Sequence, residues 1–213
     1  MEYSLTTYNI FKLHLPLCRQ YVGVLEKNNH FLLLQEWIDS LHTQESLYTT
    51  TQPTFTIPLR KQKTGTATLS HFQPTSEKKY LSLSRELGIT TPKSMIITSY
   101  ELDGTTLTIM NCHALNFVTT DSWSKTFDYW LSQLPESGPC IIAGDFNTWN
   151  SLRTDHAHRI LTLKNFVQEK YIHPTSICLD HVWHRDIEPT SCIAHTNVHT
   201  SDHYPVTLKF TII

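Results

Sequence analysis

Short apolar runs that stop at a carboxylate, an amide or an imidazole recur along this chain. Tyr3 to Phe11 is rich in Thr, Tyr, Ile and Phe, which suits a strand, and Asn9 lies near its end. Phe31 to Leu34 runs into Gln35-Glu36, Thr105 to Cys112 meets His113, and Cys140 to Ala143 stops at Gly144-Asp-Phe-Asn147. Lys93 to Tyr100 precedes Leu102-Asp-Gly-Thr105, whose Asp-Gly pair favours a tight hairpin turn. Thr64 to Ser70, Ile177 to Trp183 and Val206 to Ile212 complete the predicted strands.

Helical spacing alternates with these runs. Gln20 to Asn29 puts Tyr21, Val24 and Leu25 on one face, and Trp37 to Tyr48 carries Ile38, Leu41 and His42. Trp123 to Leu134 follows Asp121 and Ser122 as possible caps, and His156 to Glu169 carries a further apolar set. Thr49 to Lys63 predicts an edge strand and loop, and Gln73 to Pro92 a long polar excursion with a little strand around Tyr80 to Leu83. Hairpins mixed with strand, helix, strand units predict an α/β fold of two mixed β-sheets packed face to face with helices outside. One domain over residues 1–213 is expected, since nothing in that length demands a second core.

Composition narrows the function classes. Lys plus Arg number 17 against 19 Asp plus Glu, so no overall basic field advertises nucleic-acid binding, although a local basic groove stays open. Arg60, Lys61, Lys63, Lys78, Lys79 and Arg153 are candidates for such a groove, and surface solvation is the alternative for each. The five cysteines are widely spaced, form no C-x-x-C pair and mostly sit in apolar runs, which predicts reduced core residues. No signal-peptide pattern and no apolar run of membrane-spanning length is visible, so a cytoplasmic monomer is expected, with secretion lacking a cleaved signal left open.

The run-ending residues Asn9, Glu36, His113, Asp145, Asn147, Asp180, Asp202 and His203 are all oxygen donors or imidazoles. Mg²⁺ and Mn²⁺ favour carboxylate and amide oxygens and are commonly held by one or two carboxylates plus substrate phosphate, a demand that Glu36, Asp145, Asn147 and Asp202 meet. His203 and His113 are candidates for the base and the cationic donors of phosphoester hydrolysis, with Asp180 available to orient a histidine. Each histidine has a structural alternative, and Gly144, Asp145 and Asn147 have a plain turn as theirs, with Gly144 supplying the bend that aims Asp145 inward. Trp149 and Asn116 lie just beyond such residues and are candidates for substrate contact, Trp149 being equally compatible with a core position.

Taken together, Thr7-Tyr-Asn-Ile10, Leu34-Gln-Glu36, Thr64-Gly-Thr-Ala-Thr68, Asn111-Cys-His113, Gly144-Asp-Phe-Asn147, Leu179-Asp-His181 and Ser201-Asp-His203 resemble, in order, the motifs of the endonuclease/exonuclease/phosphatase superfamily, which is DNase I-like. Asn111 to Phe117 and Gly144 to Trp149, with Tyr8 to Phe11, are most similar to a bacterial branch of it. The resemblance implies a four-layer α/β sandwich and phosphoester hydrolysis dependent on Mg²⁺ or Mn²⁺. It implies metal binding by Glu36 with Asn9 beside it and support from Asp202, and alignment or deprotonation of water by Asp145. Asn147 would hold a phosphate oxygen, and His203 would partner Asp180. His113 would be a phosphate ligand or a general acid. One departure stands out: several nuclease members carry a second acidic residue just after the first-strand Asn, where this chain has Ile10, Phe11 and Lys12, which argues against a second metal.

A nuclease-type phosphodiesterase is therefore expected, acting on nucleic acid. A phosphoinositide or sphingomyelin-type lipid phosphoesterase and a non-catalytic phosphate-binding scaffold are the alternatives. A zinc helix through His195, His199 and His203 is disfavoured by the poor helix formers between them. A serine hydrolase lacks its G-x-S-x-G elbow.

Overall fold

The computed structural model describes every residue except 14, 16, 42–46, 58–60, 89–90 and 175–177. Two six-stranded sheets form among the described residues. The first contains β1 (Tyr3–Asn9), β2 (Phe31–Ile38), β3 (Tyr48–Ile57), β4 (Gln62–Ser70), β11 (Ile187–Ala194) and β12 (Val206–Ile212), in the order β11-β12-β1-β2-β4-β3. The second contains β5 (Ser76–Arg85), β6 (Pro92–Leu102), β7 (Thr105–His113), β8 (Cys140–Asp145), β9 (Val167–Gln168) and β10 (Asp180–Arg185), in the order β5-β6-β7-β8-β10-β9. Three helices accompany them: α1 (Cys18–Asn28), α2 (Thr120–Leu131) and α3 (Ser151–Leu163).

Each sheet has one parallel pair near its centre, β1 with β2 and β7 with β8, and its other pairings are antiparallel. A parallel pair needs a crossover long enough to return the chain, and α1 and α2 supply those two crossovers. Between the sheets lies a core of Leu5, Leu33, Ile109, Ile141, Ala143 and Leu208 with their neighbours. The outer face of the second sheet packs Cys140 and Ile142 against Trp123, Phe127 and Leu161 of α2 and α3. The outer face of the first packs Leu32 and Leu34 against Val22 and Leu25 of α1. Because β8 is covered on both faces, its sequence is an unbroken apolar run rather than an alternation.

The predicted two-sheet sandwich is present, with several local corrections. Trp37 and Ile38 continue β2 past a bulge and Tyr48 opens β3, so the expected helix over 37–48 does not form there, and residues 42–46 with His42 lie outside the described set. The polar excursion contains a ten-residue edge strand, β5. The helix expected from His156 starts earlier, at Ser151, and ends at Leu163, with Val167 in a strand. The cap of α2 is Thr119, whose hydroxyl accepts the Ser122 N–H at 3.3 Å, in place of Asp121 or Ser122. Strand β11 went unpredicted. The hairpin turn is as expected, with Asp103 at φ 52° and Gly104 at φ 79°. All five cysteines are free thiols, and no described helix is long and apolar enough to cross a membrane.

Candidate active site

Parallel strands present their C-terminal ends at the same edge of a sheet, and these ends carry the polar residues here. In the second sheet His113 is opposite Asp145 across β7 and β8, and Asp180 is opposite Asp145 across β10 and β8. Asp145 therefore stands between an imidazole and a second carboxylate. From the first sheet, Asn9 at the end of β1 reaches across, its Nδ2 donating to Asp145 Oδ2 at 3.1 Å. The loop before β12 is pinned by Ser201 Oγ donating to the Asn9 carbonyl at 2.7 Å, and delivers His203. His203 Nδ1 lies 2.7 Å from Asp180 Oδ2, and its Nε2 lies 3.9 Å from Asp145 Oδ2.

Gly144 does not bend the chain as expected, because β8 runs straight through it to Asp145. Its role is close approach: a Cβ at Gly144, where φ is 143°, would fall 1.9 Å from the Cys112 carbonyl oxygen. The turn comes afterwards, at Asn147 with φ 51°, whose N–H donates to Asp145 Oδ1 at 3.0 Å and whose Nδ2 donates to the Ala114 carbonyl at 3.0 Å. Trp123 Nε1 on α2 donates to the Phe146 carbonyl at 2.9 Å, fixing this segment from behind. These groups open onto a cleft of about 600 Å³ that Glu36, Asn116, Trp149 and Tyr204 also line.

Glu36 reaches the cleft through a bulge. The pairing of β2 with β4 shifts between Leu34 and Trp37, and Glu36 takes φ 54°. Left-handed backbone is uncommon for a residue with a Cβ, and it re-aims the side chain off the sheet. The Glu36 carboxylate is ion-paired with Lys12. Opposite the bulge, Gly65 admits the Gln52 carbonyl where a Cβ would lie 2.1 Å away.

Burial raises Asp145, and Asp180 adds to this against His203, Lys93 and the Asn147 N–H, which leaves it at about 6. Burial alone would lower His203, but the charge and hydrogen bond of Asp180, with Asp145 and Asp202, raise it to about 10. His113 is held well below the usual imidazole range by burial, then by the charges of Lys93, His203 and Lys12. Lys93 Nζ lies 2.9 Å from His113 Nε2, so the ammonium donates and the ring accepts. The site thus combines a neutral imidazole, an imidazolium and a carboxylate that changes charge near neutrality.

Asn9, Glu36, His113, Asp145, Asn147, Asp180 and His203 are brought together. Asp202 also lines the cleft but is exposed, with Oδ1 3.2 Å from Ser201 Oγ. Asn116 lines the cleft, its N–H donating to Glu86 Oε1 at 2.7 Å. Trp149 is not core: it is 49% exposed, with Nε1 donating to Asn147 Oδ1 at 3.0 Å. Arg153 lines the hollow beside Trp149 and Phe117, but it is 3% exposed and its guanidinium donates to the carbonyls of Leu115, Asn147, Asn116 and Val118, so it acts as a brace. Of the cations left open for a basic groove, Lys61, Lys63, Lys78 and Lys79 are exposed and do not line the cleft. The cleft's lysine is Lys93, which sequence reasoning missed, and Lys12 joins it at an adjoining hollow of about 210 Å³ that shares Glu36 and His113; Arg60 lies outside the described residues.

Among the described residues, no three His, Cys, Asp or Glu side chains form a metal-holding group. Residues 195–203 form turns and bends, and His195 Nε2 lies 2.8 Å from Thr207 Oγ1. The donors at the cleft are hard oxygens, and Mg²⁺ that keeps its waters and takes substrate phosphate needs only one or two carboxylates from the protein. Glu36 with the Asn9 amide fits that kind of site.

A family model described as Endonuclease/Exonuclease/phosphatase family matches residues 6–203. A UPF0294 protein of Vibrio campbellii is 26% identical over 229 residues, covering 99% of this chain and 78% of that protein. The human Nocturnin catalytic domain with bound sulfate anion superposes with a TM-score of 0.77 at 16% identity, covering 100% of this chain and 94% of that one. D. rerio TDP2 complexed with single strand DNA product gives a TM-score of 0.70 at 14% identity, covering 99% of each chain.

Proposed function

Because the chain belongs to the endonuclease/exonuclease/phosphatase family, we propose that it is a phosphodiesterase dependent on Mg²⁺ or Mn²⁺, with single-stranded nucleic acid as its substrate class. The observation that carries the catalytic part is the position of Asp145, flanked by His113 on one strand and by the Asp180–His203 pair on the other side. A divalent ion held by Glu36 with Asn9 and supported by Asp202 would supply charge neutralisation on the phosphate and acidify water.

Asp145 Oδ2 takes the proton of the attacking water, a task suited to a carboxylate whose burial leaves it basic near neutral pH. His203, cationic and oriented by Asp180, donates from Nε2 to the non-bridging oxygens, where charge grows as the new P–O bond forms and the old one breaks. Asn147 adds an amide donor to the same oxygens. His113 is neutral in the free protein, which favours hydrogen bonding over the general-acid role. The leaving oxygen collects its proton from the Lys93 ammonium, which lies beside His113.

The nucleic-acid part rests on exposed rings. Trp149 and Phe117, 49% and 63% exposed, flank a hollow next to the cleft that Asn116, Asn150 and Arg153 also line. Flat exposed rings beside a phosphate site suit stacked bases, which stack on any π-face. D. rerio TDP2, which shares this fold, is complexed with single strand DNA product. The test is turnover of single-stranded DNA, duplex DNA, RNA, inositol phosphates and sphingomyelin, with Mg²⁺ and with chelator, for wild type, Asp145→Ala and His203→Ala. Turnover of single strands that needs metal and is lost in both variants is expected. Unchanged activity in both variants would remove the mechanism, and a preference for the lipid or inositol substrates would remove the substrate class.

A further inference from the structure

We infer that the Lys12 ammonium and the divalent ion compete for the Glu36 carboxylate, so that Lys12 sets the strength of the metal site and leaves Glu36 when metal binds. This rests on the proposed metal role of Glu36. Lys12 is the ion-pair partner of Glu36, while the other lysine of the hollow, Lys93, is 3.7 Å from Glu86 and bonded to His113. The Glu36 carboxylate therefore holds a cation of the chain's own at the place where a metal would bind.

The backbone beneath the pair is strained on both sides. Phe11, Lys12 and Leu13 take φ of 47°, 52° and 55°, a run of three left-handed residues none of which is glycine, and Glu36 takes 54°. Left-handed residues with a Cβ are ordinarily single, and they persist where surrounding contacts hold them. Contacts that hold this turn include the Phe11 N–H to Asn9 Oδ1 at 3.1 Å, the Leu13 N–H to the Ile10 carbonyl at 2.8 Å, and the ion pair. Asn9 Oδ1 is thus the second candidate metal donor already engaged by this same turn. A metal ion drawing on Glu36 and Asn9 would displace the ion pair and share the Asn9 oxygen that accepts the Phe11 N–H, so it acts on two contacts of this turn.

The two partners differ in access. The Lys12 side chain is 41% exposed and that of Glu36 is 16% exposed, so the ammonium can withdraw into solvent while the carboxylate stays. An ammonium and a divalent ion on one carboxylate repel, so loss of the lysine charge strengthens the metal site and a conservative cation preserves the competition.

The test measures Mn²⁺ binding by the electron-paramagnetic-resonance signal of the free ion, with no substrate present, on the full chain and on Lys12→Met, Lys12→Gln, Lys12→Arg and Glu36→Gln. Lys12→Met and Lys12→Gln are expected to tighten Mn²⁺ by about two- to fivefold, the scale of a partly exposed ion pair. Lys12→Arg stays near wild type, and Glu36→Gln weakens binding. Two uncharged variants, with folding verified by circular dichroism, separate charge from side-chain shape. If both bind Mn²⁺ no tighter than wild type while Glu36→Gln weakens it, the competition is overturned and the metal role of Glu36 stands. If Glu36→Gln binds as wild type does, that role is overturned and the competition with it.

Discussion

His203 Nδ1 lies 2.7 Å from Asp180 Oδ2, and this pair makes His203 a cation in the folded protein. Its pKa is raised, so the associated stability is complete below the unfolded value of about 6.5 and is lost as pH rises through about 10. Asp180→Asn removes the charge. In that variant His203 is expected to titrate near or below neutrality, read from its imidazole resonances by NMR, and the fall in melting temperature between pH 7 and pH 10 shrinks. Turnover drops by about 10²-fold at pH 8, the scale of losing one oriented donor. A His203 that stays protonated to pH 9 in the variant would break the link between the two residues.

Asp145 sets the acid side of the pH profile. Burial leaves this carboxylate protonating near pH 6, so the base form is lost as pH falls below that value. The profile of kcat/KM, which reports the free protein, should climb through pH 6 and flatten above it. Asp145→Asn is expected to reduce turnover by about 10²- to 10⁴-fold at pH 7.5 and to abolish the ascending limb of what remains. A residual activity that kept the same limb would assign the base to another group.

The strand ends were legible because each apolar run stops at a group too polar to bury without a partner, as at Asn9, His113, Asp145 and Asp180. Their convergence was not, since it depends on register: His113 and Asp180 become neighbours of Asp145 through pairings that no local pattern encodes. Lys93 was missed for the same reason. It stands at the start of an antiparallel strand, next to Ser94, which pairs with His113. The helix expected from Trp37 failed because the bulge at Gln35 and Glu36 breaks the period-two pattern inside a strand that continues to Ile38. Only the stretch of β5 around Tyr80 to Leu83 was legible, because it is an edge strand with polar residues on both faces, Lys78 and Lys79 among them.

Arg153 reads in the sequence as a substrate-facing cation, and its burial turns that into a prediction about stability. Its guanidinium ties the Asn147 carbonyl to those of Leu115, Asn116 and Val118, so it braces the turn that carries Asn147. Arg153→Met leaves four buried or part-buried acceptors without this donor and should cost about 2–5 kcal/mol in urea unfolding. Arg153→Lys recovers only part, because an ammonium lacks the planar fork. A phosphate contact predicts a different outcome, a shallower salt dependence of substrate binding. The brace predicts an unchanged slope with lower turnover.

Trp149 separates stacking from bracing, because its two ends do different things. The ring is half exposed beside the cleft, whereas Nε1 holds Asn147 Oδ1 at 3.0 Å. Trp149→Ala removes both, and Trp149→Phe keeps a ring while losing the N–H. If the ring stacks on a base, Trp149→Ala should raise KM for a short single-stranded DNA by about five- to tenfold or more, the low end of base–aromatic stacking. The same variant should leave KM nearly unchanged for a strand of equal length with abasic sites flanking the cut. Trp149→Phe should keep KM for the intact strand within about twofold of wild type, since a smaller ring still offers a face. Turnover would fall in both variants, because Asn147 loses the donor that fixes its amide. Equal increases in KM on intact and abasic strands would show that the ring touches no base, and the hollow beside Phe117 would then have to be assigned to the sugar-phosphate chain.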